Sequence, residues 1–312
     1  MKVGFIGLGI MGTSMAPNLI KSGFELVVHD LRPEAAAPHL ASGAVWADTP
    51  RKLAEATEVV LTSLPGPPEM ESVALGEQGL LAGMAAGKVY FDLTTNSPTV
   101  VRRVHEVFGK KGVHLLDAPV SGGPHGARTG KLAIWVGGDK AAFTKHKPVL
   151  DGFSDQAVHV GPIGAGSVTK LVHNCAGYAI QTALAEVFTL GVKAGVEPLA
   201  LWEAVRQGAG GRGRTFDRVP HQFFRGKYDP PNFALRLAHK DVTLATALGR
   251  EIGVPMRVAN LALADLTEAL NRGWGERDSR VPMVLQEERS GVQVRVEESR
   301  LKEALDRAGL TG

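Results

Sequence analysis

Cysteine occurs once in 312 residues, at position 175, so a disulfide scaffold is excluded and a reducing compartment fits. The sequence also lacks any run of five or more like charges. Its 35 Lys+Arg and 32 Asp+Glu leave a net charge of only +3, so neither nucleic acid nor a membrane surface is an expected partner despite a pI near 9.0. The apolar start is broken by glycines and shows no small-residue cleavage site, and a cytoplasmic protein is expected. The most apolar later stretch, Cys175 to Gly195, is interrupted by Gln181, Glu186 and Lys193 and reads as a buried helix rather than a membrane span. The ten histidines include no pair four apart and no H-E-x-x-H pattern, so no metal site is expected. A small-molecule partner remains.

Glycine, in contrast, is abundant: 38 residues, roughly 12% where about 7% is usual. With 44% hydrophobic residues the chain can build more than one core, and its length suggests two domains. Up to about residue 160, the short apolar runs KVGFIG, ELVVHD, EVVLTSLP, KVYFDL, VHLLDAPV and LAIWVGG alternate with helical patterns. That order implies a mostly parallel, doubly wound α/β sheet. Beyond Gly166 only helical periodicity remains, over Val168 to Ala194, Pro198 to Gln207, Phe233 to Gly249 and Met256 to Gly273. The expected division is 1–162, an α/β cofactor-binding domain, and 163–312, an all-α domain for substrate binding and oligomerisation, entered through a long helix.

Gly7, Gly9 and Gly12 stand in G-x-G-x-x-G spacing directly after the first strand and open a helix. In a dinucleotide loop Gly7 permits the tight turn, Gly9 lets backbone approach a pyrophosphate and Gly12 allows close helix packing, while the helix N-terminus attracts phosphate. Leu8, Ile10 and Met11 complete that loop. Asp30, 18 residues after Gly12, ends the second strand where an acid would accept from a ribose hydroxyl, which favours NAD. Leu31 and Arg32 follow it, and Arg32 could instead meet the extra phosphate of NADP. The plainer alternative is a glycine turn in an unrelated α/β fold.

Further along, DAPVSGG leaves a strand with one hydroxyl and two unhindered amides, Ser121, Gly122 and Gly123, a set of donors suited to a carboxylate unless it is merely a turn. Lys170 follows the glycine-rich entry Gly161, Gly164, Gly166 and sits early on an apolar helix, with Asn174 one turn on. Together they could hold one substrate oxygen. Burial beside a positively charged nicotinamide would lower such a lysine from its usual value near 10.4, toward an amine that can take up and return a proton. A surface lysine with a buried stem is the ordinary alternative.

Five blocks in order, GFIGLGIMGTSMAPNLIKSG, FDLTTNSP, DAPVSGG, GPIGAGSVTKLVHN and AHKDVTLA, make the sequence resemble the β-hydroxyacid dehydrogenase family from Lys2 to about residue 290. The family includes 3-hydroxyisobutyrate dehydrogenase and tartronate and succinic semialdehyde reductases. The resemblance implies a Rossmann-type N-terminal domain and a 6-phosphogluconate dehydrogenase-like helical domain. It also implies hydride transfer between NAD, or possibly NADP, and a short β-hydroxy acid or the matching semialdehyde, in a cleft between domains of a homodimer or homotetramer. By the same resemblance Lys170 is the acid/base, Ser121, Gly122 and Gly123 hold the substrate carboxylate, and Asn174 orients the substrate. Thr95 then meets the nicotinamide ribose, Leu64 and Pro65 line the cofactor, and Lys240 reaches over it. The alternatives are capping of the next helix by Thr94 and Thr95, strand termination by the proline loop, and a surface ion pair for Lys240. His173 stands where the family often has Asn and reads as a supporting histidine bonded to backbone. Arg128, Arg212, Arg214 and Arg218 are either solvated or form a fork for a second acidic group. Imine reduction, oxidative decarboxylation and a non-catalytic cofactor-binding scaffold are the alternative functions. The tail from about Gly291 ends in an amphipathic helix of unassigned role.

Overall fold

The computed structural model describes residues 1–193, 195–208, 219–251, 253 and 256–309. Arg212, Arg214 and Arg218 lie outside the described residues. The chain divides into two compact units, Met1–His173 and Asn174–Gly312.

The first unit runs β1 (Lys2–Ile6), α1 (Gly12–Lys21), β2 (Glu25–His29), α2 (Ala37–Leu40), β3 (Val45–Trp46), α3 (Pro50–Ala56), β4 (Val59–Thr62), α4 (Pro67–Leu75), α5 (Leu80–Gly83), β5 (Val89–Asp92) and α6 (Pro98–Gly109). It continues through β6 (His114–Asp117), β7 (Val120–Ser121), α7 (Gly123–Thr129), β8 (Leu132–Gly137), α8 (Lys140–Asp151) and β9 (Ser154–Gly161) into the start of α9 (Ala165–Lys193). The sheet has nine strands in the order β3-β2-β1-β4-β5-β6-β8-β7, with β9 also on β8. Pairing is parallel except where β8 meets β6 and β7. Central strands are buried on both faces, as a parallel sheet requires, so side chains alternate between two cores. Val59, Leu61, Val89 and Phe91 join one core with Met15 and Leu19 of α1; Val60 and Tyr90 join the other with Leu53 of α3, Met70 of α4 and Phe108 of α6. The doubly wound expectation is met.

Three local readings differ. VHLLDAPV is two strands, β6 and β7, because the chain breaks at Ala118 and Pro119. The two-residue β3 has too little pattern to be seen in sequence, and β9 begins with polar residues and leaves Val158 and Val160 exposed at an edge.

The second unit carries the rest of α9, then α10 (Pro198–Gln207), α11 (Val219–Gln222), α12 (Leu235–Glu251), α13 (Arg257–Asn271), α14 (Met283–Ser290) and α15 (Glu298–Ala308). No strand occurs among its described residues apart from the isolated bridge Ala234↔Asp278. Leu301, Ala304 and Leu305 of α15 enter a core with Phe188, Trp202 and Phe224, so the amphipathic tail is an integral layer of this unit. Upstream of it, the Arg295 guanidinium pairs with Glu287, and the Val294 N–H donates to the same carboxylate at 2.6 Å. The buried face of α12 differs from the expected Phe233, Leu237, Leu244 and Leu248. It consists of Leu235, Ala238, Asp241, Val242, Ala245, Thr246 and Gly249, because small residues let α12 approach the alanines of α13 closely. No helix among the described residues is long and apolar enough to cross a membrane.

Candidate active site

The three loop glycines answer to different constraints. Gly7 has φ +93°, and a Cβ there would lie 2.2 Å from the Ser63 carbonyl oxygen; a Cβ on Gly12 would lie 1.8 Å from the Gly7 carbonyl oxygen. Gly9 has neither constraint. Its φ is not in the left-handed region, and nothing lies within 4 Å of where its Cβ would be. The protein's own packing therefore tolerates a side chain at Gly9, and the open space there is the room that the glycine spacing predicts for a pyrophosphate. Gly9→Ala is expected to leave the melting temperature within about a degree while raising the KM for NAD at least tenfold; thermal melts and cofactor titration of the same variant check this. Gly12→Ala, in contrast, should destabilise the fold outright.

The loop is tied to the second strand by the N–H of Leu8, which donates to Asp30 Oδ2 at 2.7 Å. Asp30 also accepts from the Arg32 N–H at 2.9 Å, and the Arg32 guanidinium is 3.7 Å away. The acid and its neighbouring cation are thus both at the sheet edge beside the loop. Ile10 is 66% exposed and Leu31 90% exposed, two apolar side chains flanking the same edge. Met11, the residue before α1, supplies no side-chain cap, so the first N–H groups of the helix are open to an anion.

Two neighbouring strands end in buried acids that sequence reasoning passed over. Asp92 and Asp117 are register partners on β5 and β6. Asp92 accepts from the Thr62 hydroxyl at 2.9 Å, the Thr94 N–H at 3.2 Å and the Asn96 amide at 2.9 Å. The Thr94 hydroxyl in turn accepts from the Leu64 N–H at 3.2 Å, joining the two loops assigned to the nicotinamide side. Thr94 thus does not cap α6, whose cap residue Ser97 makes no side-chain bond. Thr95 is half-buried beside it, as is Leu64, and Pro65 is exposed. Asp117 accepts from the N–H groups of Gly164 at 2.7 Å and Ser167 at 2.6 Å, so a strand-terminal carboxylate caps α9 three residues before Lys170. Burial pushes both carboxyls up from the usual range, and the hydrogen bonds they accept oppose that rise. Glycine is required around the cap: a Cβ on Gly137 would lie 2.4 Å from Asp117 Oδ1, and one on Gly166 would lie 2.3 Å from the Trp135 carbonyl oxygen. The signal in the sequence was an Asp closing each of two strand runs just before the loops FDLTTNSP and DAPVSGG.

Gly122 has φ +134° and Gly123 φ +61°, and Gly123 is the first residue of α7. Both are exposed, and Ser121 is half-buried. The Ser121 hydroxyl is 3.1 Å from His173 Nε2, and the His173 ring lies 5.1 Å from that of Trp135, tilted by 51°. His173 therefore bonds the Ser121 side chain. Because it stands three residues after Lys170, it places the turn of α9 carrying Lys170 beside the Ser121 loop. Lys170 is half-buried. Arg128 is exposed in the last turn of α7, where its charge suits the helix C-terminus.

In the second unit Asp241 is buried and organises two predicted site residues. The Asn174 amide donates to Asp241 Oδ2 at 2.6 Å, and Lys240 Nζ is 3.0 Å from Oδ1. Tyr178, one turn beyond Asn174, is half-buried, and desolvation and then the Asp241 charge push its phenol up from the usual range. The apolar surroundings of AHKDVTLA were the only sequence sign that its acid faces inward. Among the described residues no cluster of three or more His, Cys, Asp or Glu could hold a metal.

A family model described as the NAD binding domain of 6-phosphogluconate dehydrogenase matches residues 2–161. A second, described as NAD-binding of NADP-dependent 3-hydroxyisobutyrate dehydrogenase, matches residues 164–284. The chain belongs to the β-hydroxyacid dehydrogenase family. It is 35% identical over 294 residues to 2-(hydroxymethyl)glutarate dehydrogenase of Eubacterium barkeri, covering 94% of this chain and 97% of the relative. It is 37% identical over 265 residues to 3-hydroxyisobutyrate dehydrogenase of Pseudomonas aeruginosa, covering 83% and 89%. Among solved structures, the 3-hydroxyisobutyrate dehydrogenase of Mycobacterium tuberculosis, determined with L-serine, has a TM-score of 0.82 at 27% identity, covering 91% of this chain and 98% of that one. This dehydrogenase uses NAD(P) and acts on a CH–OH group.

Proposed function

We propose that this dehydrogenase oxidises a short β-hydroxy acid of the 3-hydroxyisobutyrate type, or reduces the matching semialdehyde, with NAD preferred. The observation that carries the reading is the 3.1 Å contact between Ser121 and His173, which brings the carboxylate loop and the Lys170 turn of α9 together. Gly7 to Gly12, Asp30, Leu31, Arg32, Leu64, Pro65 and Thr95 bind the cofactor, and Lys240 is an added contact resting on the family resemblance. The cofactor supplies the hydride acceptor in oxidation and the donor in reduction.

The chain does the rest. Ser121, Gly122 and Gly123 donate to the substrate carboxylate, which fixes the carbinol carbon at a set distance from the loop. Lys170 takes the hydroxyl proton as the carbinol hydrogen departs, and in reduction its ammonium returns that proton to the developing alkoxide. Asn174, oriented by Asp241, holds the same oxygen. We assign 1–162 to cofactor binding and 163–312 to substrate binding and self-association. Exposed Val172 and Ile180 on α9 support a homodimer or homotetramer, which size-exclusion chromatography with light scattering tests. The buried lone Cys175 supports a cytoplasmic location.

A panel of C3 to C6 hydroxy acids and semialdehydes, each tried with NAD and NADP and followed at the reduced-cofactor absorbance band, tests the substrate class. Turnover of β-hydroxy acids with a higher kcat/KM for NAD is expected. Reduction of imines without turnover of any hydroxy acid would overturn the assignment, and binding of cofactor with no turnover at all would leave a scaffold.

A further inference from the structure

A serine hydroxyl carries a single proton, and the direction in which it points decides what Ser121 offers a ligand. With a proton on His173 Nε2, the imidazole donates to Ser121 Oγ, and the hydroxyl proton turns outward as a donor. With Nε2 unprotonated, the hydroxyl donates to the ring instead and presents lone pairs outward, which repel a carboxylate. The 3.1 Å separation permits either arrangement.

We propose that His173 is a positioning residue for carboxylate recognition: its Nε2–H holds the Ser121 hydroxyl as a donor to the substrate, so that substrate binding selects the form of His173 protonated at Nε2. The inference rests on the reading that Ser121 meets the substrate carboxylate. Trp135 of β8 packs against the ring at 5.1 Å, on an otherwise exposed side chain whose Nε2 edge faces β7. Ser121 faces it from β7 and Trp135 from β8, Lys170 lies three residues back on α9 with Asn174 next in sequence, and the Asp117 carboxylate is engaged at the start of the helix. Two consequences follow for the substrate. Imidazolium always carries the Nε2 proton and adds a positive charge beside the carboxylate, whereas neutral imidazole must adopt one of its two tautomers. Recognition of the acid group is therefore linked to protons at a residue that does not touch the reacting carbon.

Steady-state kinetics with 3-hydroxyisobutyrate and its methyl ester test this. His173→Ala is expected to raise the KM for the acid about tenfold, the scale of one hydrogen bond to a charged group, with kcat changed less than about threefold and no change in KM for the uncharged ester. His173→Gln, whose amide N–H₂ reaches the same place but does not titrate, should restore most of the affinity. The ratio of wild-type to His173→Gln kcat/KM should then fall as pH rises from 5.5 to 8.5, because imidazole and not the amide loses a proton in that range. A purely structural role would move acid and ester alike and give a flat ratio, and either result overturns the inference. Ser121→Ala separates the two levels: a raised KM for the acid in Ser121→Ala but not in His173→Ala overturns the role of His173 alone, and no change in either removes the carboxylate reading with it.

Discussion

Replacing Lys170 with alanine should lower kcat by about 10²- to 10⁴-fold, the usual contribution of a positioned acid/base, while cofactor affinity stays near that of the wild type. The residue stands in the second turn of a helix capped by Asp117, and its neighbour His173 is held against the Ser121 loop, so the loss is expected to fall on proton transfer rather than on assembly of the site. Lys170→Arg separates charge from acid/base function. A guanidinium keeps the positive charge near the developing alkoxide but does not deprotonate, so it should recover little of the oxidation rate. Stopped-flow measurement of the first turnover, with NAD binding followed by fluorescence, gives both numbers. Near-normal turnover in a Lys170→Ala variant that binds NAD would remove this lysine from the chemistry.

The second large effect is expected at a residue that touches neither substrate nor cofactor. Asp117→Ala removes the acceptor of two short bonds from buried N–H groups of Gly164 and Ser167. Helix caps contribute about 0.5 to 2 kcal/mol, and an orphaned buried donor costs about 1 to 3 kcal/mol; the two overlap here, so a loss of about 2 to 4 kcal/mol follows. The first thermal transition should drop by roughly 5 to 15 °C. Because α9 begins at this cap, kcat should fall as well, through misplacement of the turn that carries Lys170. Asp117→Asn keeps one acceptor and sets an amide N–H₂ against the other N–H, so it should fall between wild type and Asp117→Ala. Circular dichroism melts of the three proteins check the order, and a shift within a degree for Asp117→Ala would show that the cap is dispensable.

Most of the first unit was legible because its central strands are continuous apolar runs bounded by glycine, proline or aspartate, and a parallel sheet buried on both faces produces that pattern. The same physics hid β3 and β9: one is two residues long, and the other lies at an edge where Val158 and Val160 face solvent. Periodicity misjudged α12 because it weights leucine, whereas close packing on α13 selects Ala238, Ala245 and Gly249. At the site, glycine spacing and the lysine helix could be read directly, since each is a local requirement of backbone or chemistry. Asp92, Asp117 and Asp241 could not. An Asp closing a strand run marks the first two, but their distant partners, and that of Asp241, lie 30 to 67 positions away, and sequence spacing does not reveal such bonds.

The border between the two units falls between His173 and Asn174, inside an unbroken helix that runs from Ala165 to Lys193. Exchange of substrate preference between relatives by recombination therefore has a poor junction at the apparent border, since a crossover there would draw Lys170, the proposed acid/base, from one parent and Asn174, proposed to orient the substrate oxygen, from the other. A crossover ahead of the helix would instead separate Asp117 from the Gly164 and Ser167 amides it caps, and His173 from Ser121. Hybrid enzymes of this kind should inherit the DAPVSGG loop and the first three turns of α9 as a single block.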